Sequence, residues 1–130
     1  MALRDIENRI SVAQSLAPAA RTATATGSTV DLQGVNSAMV VFNFGTWTDG
    51  THTPSLQHSA DNSVFVTCDT NSLNGAFVAV SSGAGSNTIQ KIGYTGGFRY
   101  VRAVMTIAGA TTGAVANAVV LRGHPSQGPV

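Results

Sequence analysis

From about residue 29 onward, apolar and polar residues alternate with a period of two, the signature of half-buried strands. Ser37 to Trp47 (SAMVVFNFGTW) is the strongest such run. Ala38, Val40, Phe42 and Phe44 fall on one face, and Met39, Val41 and Trp47 on the other. A strand apolar on both faces is central in its sheet or covered on its outer side. Phe98 to Ala108 (FRYVRAVMTIA) alternates as well, with Val101, Ala103, Met105 and Ile107 on one side and Arg102 and Thr106 on the other. Shorter runs predict further strands over Thr29–Leu32, Pro54–Ser59, Val64–Cys68, Ala76–Val80, Thr88–Tyr94 and Val115–Arg122. Turn signals separate them: Gly34-Val35-Asn36, Asp49-Gly50, Asp61-Asn62, the glycine-rich SSGAGSN at 81–87, and Thr95-Gly96-Gly97. No internal segment could supply the crossover helices of a parallel sheet. About eight short strands therefore predict an all-β antiparallel sandwich, jelly-roll-like.

The N-terminal region reads differently. Leu3, Ile6 and Ile10 form an i, i+3, i+7 stripe flanked by Arg4, Asp5, Glu7 and Arg9, which predicts one short amphipathic helix. Alone it would be unstable, so it is expected to dock on its own domain or on a neighbour. Ser15 to Gly27, with Pro18 and a Thr-Ala alternation, reads as an extended connector. The expected layout is an arm over 1–27, a sandwich over 28–123 and an extended tail over 124–130. Leu3, Ile6, Ile10, Leu16 and Pro18 in the arm, with Pro125 and Pro129 in the tail, are the candidate partner-binding residues.

Composition points toward assembly. The 130 residues suffice for one domain, and charged residues make up only 10% of them with a net charge of +1. A weakly charged surface of small residues is a solubility hazard for a free monomer and none for a subunit buried in an assembly. The single cysteine, Cys68, excludes an intrachain disulfide and reads as a small buried hydrophobe near a strand end. The charged N-terminus does not look like a signal peptide, and no apolar run approaches a membrane span. Synthesis in a reducing cytoplasm is expected, with no membrane contact.

Candidate chemistry is sparse. His52, His58 and His124 are expected to be solvated, with Pro54 breaking the segment between the first two; a metal pair there is disfavoured. Asp49 and Asp61 fall in turns, where a carboxylate caps backbone N–H groups. No nucleophile elbow, phosphate loop or dinucleotide fingerprint occurs. The expectation is a protein that is not an enzyme, uses no cofactor and holds no metal. Seven basic residues are dispersed among six acidic ones, unlike the clustered stripe that nucleic acid requires. Arg99 and Arg102 are expected to pair with carboxylates or stack at an edge. Trp47, Tyr94 and Tyr100 could serve as stacking platforms for a glycan-binding module, and a core or rim place suits Trp47 better.

Several longer stretches carry a resemblance: SLAPA (15–19), VDLQG (30–34), GTWTDGTHTPSLQHSADNS (45–63), KIGYTGGFRYVRAVMTIAGATTGAV (91–115) and VVLRGHP (119–125). Together they resemble small proteins encoded among the head genes of tailed bacteriophages and prophages. Within that group the chain looks most like capsid cement or decoration proteins with a jelly-roll-like fold. The resemblance implies a virion structural protein on the capsid surface. Its implied partners are the major capsid protein and neighbouring copies of itself. A head-tail connector, neck or tail completion role is the alternative, and a glycan-binding β-module on the virion surface is the alternative of another class. The resemblance brings no catalytic residues.

Overall fold

The computed structural model describes residues 9–125. Among them are ten strands: β1 (Ile10–Arg21), β2 (Ala25–Thr26), β3 (Val30–Asp31), β4 (Val35–Trp47), β5 (Thr51–Ser59), β6 (Val66–Thr67), β7 (Leu73–Asn74), β8 (Ile89–Tyr94), β9 (Tyr100–Ala108) and β10 (Ala114–Pro125). They form two antiparallel sheets, one ordered β1-β10-β4-β8-β7 and one ordered β2-β9-β5-β6 with β3 also on β9. The fold is an all-β sandwich.

The core lies between the sheets. Val40, Phe42 and Phe44 of β4 meet Val101, Ala103 and Met105 of β9, with Leu56, Ile92 and Val120 filling the same layer. Ala116 and Ala118 lie beside Phe44 and Phe42 on adjacent strands. Small residues next to large ones let the layer pack without voids. Phe42 also meets the edge of the Phe77 ring, with centroids 5.6 Å apart.

The N-terminal expectation needs correction. Ile10–Arg21 is neither a helix nor a connector but an edge strand, paired with β10 from Ile10↔Gly123 to Arg21↔Ala114. Ala25 and Thr26 then pair with Met105 and Val104 of β9. The sandwich thus includes the chain from Ile10 onward, and the expected boundary at residue 27 divides nothing. An edge strand tolerates Pro18, because one row of its N–H groups has no ladder partner. At the other end β10 continues through Pro125, which pairs with Val35, so the expected tail starts inside a strand. Leu3, Ile6 and Pro129 lie outside the described residues.

Three expected strands lose half their length or more, Thr29–Leu32 keeping only Val30–Asp31. Val64–Cys68 contributes only Val66 and Thr67, because Asp61 Oδ1 accepts the N–H groups of Ser63 and Val64 and bends the chain before it. Ala76–Val80 contributes one bridge, His52↔Val80. Just ahead of it, Gln90 extends its side-chain amide to both backbone groups of Val78, at 2.9 and 2.7 Å, standing in for a strand neighbour. This segment covers the seam beside β5 and β8.

The opposite seam closes at a bulge. Between Gln14 and Leu16 the β1 register shifts, and Ser15 turns toward the second sheet. Its Oγ donates to Ser28 O at 2.7 Å and accepts the Ala103 N–H at 2.9 Å. Ser28 N–H donates back to Ser15 O.

Candidate interaction surface

The outer faces of the two sheets differ in chemistry. On the smaller sheet the outward residues of β5 and β9 are Thr53, Ser55, Gln57 and Tyr100, Arg102, Val104, Thr106, paired across the strands. Arg102 Nε donates to Gln57 Oε1 at 2.8 Å, and its guanidinium lies 3.8 Å from the centre of the Phe65 ring. This face is mostly polar, and its cation is engaged.

The larger sheet turns the reverse character outward. With Val40, Phe42 and Phe44 facing the core, strand alternation points Met39, Val41, Asn43 and Gly45 away from it. Register then defines cross-strand rows. One row reads Val12, Leu121, Met39, Gly93 across β1, β10, β4 and β8; the next reads Gln14, Val119, Val41, Lys91. A third carries Asn117, Asn43 and Ile89. A fourth joins Ala20 to Val115, with Gly45 beside Val115 on β4. Val12 is 58% exposed, Ile89 66% and Val115 42%. Among the described residues, Lys91 is the only charge in these rows. The apolar positions in these rows, interrupted by the Asn117-Asn43 pair and flanked by Gln14 and Lys91, make this face the candidate interaction surface.

The remaining candidate groups serve the fold. Arg99 holds Asp31 through two hydrogen bonds of 2.8 Å; the guanidinium pulls the carboxyl down to about 2 against partial desolvation. Asp49 accepts the N–H groups of Thr111, Thr112 and Gly113, which keep it ionised below the usual carboxylate range. Asp61 is held down in the same way by Val64 and Ser63 N–H. Asp69 caps a single 3-10 turn at Thr70–Ser72. All four aspartates among the described residues are thus used locally.

The histidine expectation is corrected. His52 is 0% exposed, and its Nε2 donates to Asp49 O at 2.9 Å. His58 is also buried. The Tyr94 hydroxyl accepts the Phe98 N–H at 3.1 Å and shares a 2.8 Å hydrogen bond with His58 Nδ1. Burial outweighs the nearby Asp69 carboxylate and lowers the His58 pKa. Pro54 does not break β5. Its neighbours of equal parity, His52 and Leu56, bond away from β9 to Val80 and Cys68, so the N–H missing at Pro54 costs the β5–β9 ladder nothing. Among the described residues, no group of three or more His, Cys, Asp or Glu side chains gathers to hold a metal ion.

Of the sequence candidates for partner contact, Ile10 and Pro18 lie on β1, with Pro18 exposed. Leu16 does not qualify: it is 3% exposed and belongs to the core. Two of the glycan platforms are occupied internally. Tyr94 is buried with its hydroxyl satisfied, and half-buried Trp47 donates Nε1–H to Gly50 O at 2.9 Å. Tyr100 carries the Arg99 guanidinium 4.9 Å from its ring centre. A cleft of about 430 Å³ beside Leu32, Val35, Tyr94 and Phe98 ends at Arg99, which Asp31 already neutralises. Cys68 is buried, and desolvation pushes its thiol up to about 12.

The apolar rows were missed at sequence level because register cannot be read along one strand. Their signal was the second apolar face of β4, with Met39 and Val41. No family model, no curated protein and no solved structure matches the chain.

Proposed function

We propose that this protein is a structural subunit of a tailed-phage virion, a cement protein bound to the outside of the major capsid protein lattice. The observation that carries the assembly reading is the apolar outer face of the larger sheet, with Lys91 as its one described charge. A free monomer would leave that face in water. Burying it stabilises an assembly by roughly 2.5 kcal/mol per 100 Å² of apolar area before ordering costs. Repeated over a shell, such contacts oppose the outward pressure of packed DNA. The phage assignment rests on the sequence resemblance, and the internal engagement of the four aspartates and of Cys68 favours a non-catalytic role.

The test is binding to shells built from the major capsid protein of the phage that encodes this chain. Saturable binding that raises the melting temperature of the shell is expected. No binding to intact shells, with the protein folded, overturns the cement reading. Copy number in the virion separates it from the neck alternative: on the order of hundreds for decoration, about six or twelve for a ring.

A further inference from the structure

We propose that the outer face of the β1-β10-β4-β8 sheet pairs with the same face of a second copy, about a two-fold axis parallel to the strands between β10 and β4. The rows match themselves when reversed. Such an axis inverts the order within each row and leaves the rows facing one another. Val12 then lies over Gly93 of the second copy and Leu121 over Met39. In the next row Val119 meets Val41, and Lys91 meets Gln14. In the third, Asn117 meets Asn43, two amides that can exchange hydrogen bonds. Val115 falls opposite Gly45, so the exposed valines of β1 and β10 each face a glycine.

Charge selects this orientation. Lys91 lies over a neutral amide whose oxygen can accept a hydrogen bond from it, on both sides of the axis. An axis perpendicular to the strands would stack each strand on itself and, at the Val41 row, Lys91 on Lys91. The area is adequate: strands about 4.8 Å apart over the length of Val115 to Gly123 span roughly 600 Å² of flat sheet, near the ~800 Å² per partner of a standard interface once side-chain relief is added. Two sheets packed face to face cross at about −30°, which keeps the central rows in contact.

This pairing does not depend on the capsid reading. It predicts a dimer of the free protein, tested without any shell. Sedimentation equilibrium over a micromolar concentration series is expected to show a reversible monomer-dimer system. Val41→Lys, at the centre, is expected to leave a monomer. Gln14→Glu, at the exposed rim, is expected to tighten the dimer about fivefold by two Glu-Lys contacts, a gain that high salt removes. Gln14→Lys is expected to weaken it by a similar factor, and adding Lys91→Glu to restore it. Gln14 on β1 and Lys91 on β8 are separated by β10 and β4 within one sheet, so the rescue reads a contact between copies. A wild-type monomer at all concentrations overturns the proposal. So does a dimer indifferent to every Gln14 and Lys91 change, because it uses another face. Circular dichroism checks that Val41→Lys is folded; should it not be, the rim variants decide alone.

Discussion

Ser15 Oγ accepts the backbone N–H of Ala103 at 2.9 Å, across 88 residues of sequence, and in doing so ties one sheet to the other. It also donates to Ser28 O, so one buried hydroxyl satisfies two backbone groups. Ser15→Ala leaves both without a partner and is expected to lower the unfolding free energy by about 2 kcal/mol. Urea denaturation checks this: the midpoint falls and the slope stays unchanged.

Leu16, next in the chain, points into the core while the strand around it runs along an edge. Leu16→Ala is expected to cost about 3 kcal/mol through lost burial and a residual cavity. Pro18→Ala, at an exposed position, is expected to fall within about 0.5 kcal/mol of the parent. Thermal melts of the two variants separate a core residue from a surface one.

Gly113 carries a left-handed backbone, φ +83, and a Cβ there would overlap the Arg21 carbonyl oxygen. Its N–H is also held by Asp49 at 2.6 Å. Gly113→Ala combines strain with a collision against β1 and is expected to destabilise by more than about 2 kcal/mol. Urea unfolding of the variant measures it.

Acid is expected to lower the stability of the fold in two stages. His58 has a folded-state pKa below its ordinary 6.5, because burial disfavours the imidazolium. The unfolded chain therefore binds the proton first, and stability declines as the pH falls below about 6.5. The aspartates act later with the same sign. Asp31 titrates at about 2 in the folded protein against 3.8 ordinarily, so its contribution is present above pH 3.8 and is lost as the pH falls toward 2. His58→Gln is expected to flatten the first stage and leave the second. Denaturation midpoints across a pH series resolve both.

Cys68 is expected to resist modification. Only the thiolate attacks, and a thiol at about 12 is almost wholly protonated at neutral pH. Reaction with a disulfide reagent is expected at the rate of opening of the fold, rising to a free-thiol rate in denaturant.

The parts legible in the sequence were those that local patterning determines. The two faces of β4 and β9 follow from alternation alone, and the Asp49-Gly50 turn from its residue types. β1 was illegible because its strand character comes from β10, about a hundred residues away. Leu3, Ile6 and Ile10 also fit a helical stripe, and the Ala-Pro-Ala stretch carries little strand propensity of its own. His52 and His58 share parity with Leu56, which would have placed them inside had Pro54 not been read as a break. The interaction face could not be assembled from any single strand, since Val12, Leu121, Met39 and Gly93 become neighbours only through register.

Because β1 lies against β10, the first described strand finds its ladder partner only in the last. During synthesis, Val12 and Leu16 have no Leu121 or Ala118 to meet until β10 leaves the ribosome. The larger sheet therefore cannot complete itself before β10 has emerged, and its closing step joins residues about a hundred positions apart. Such remote pairing places the protein among slow folders, in the millisecond-to-second range. It also brings Ile10 and Gly123 side by side, although 113 positions separate them in the sequence.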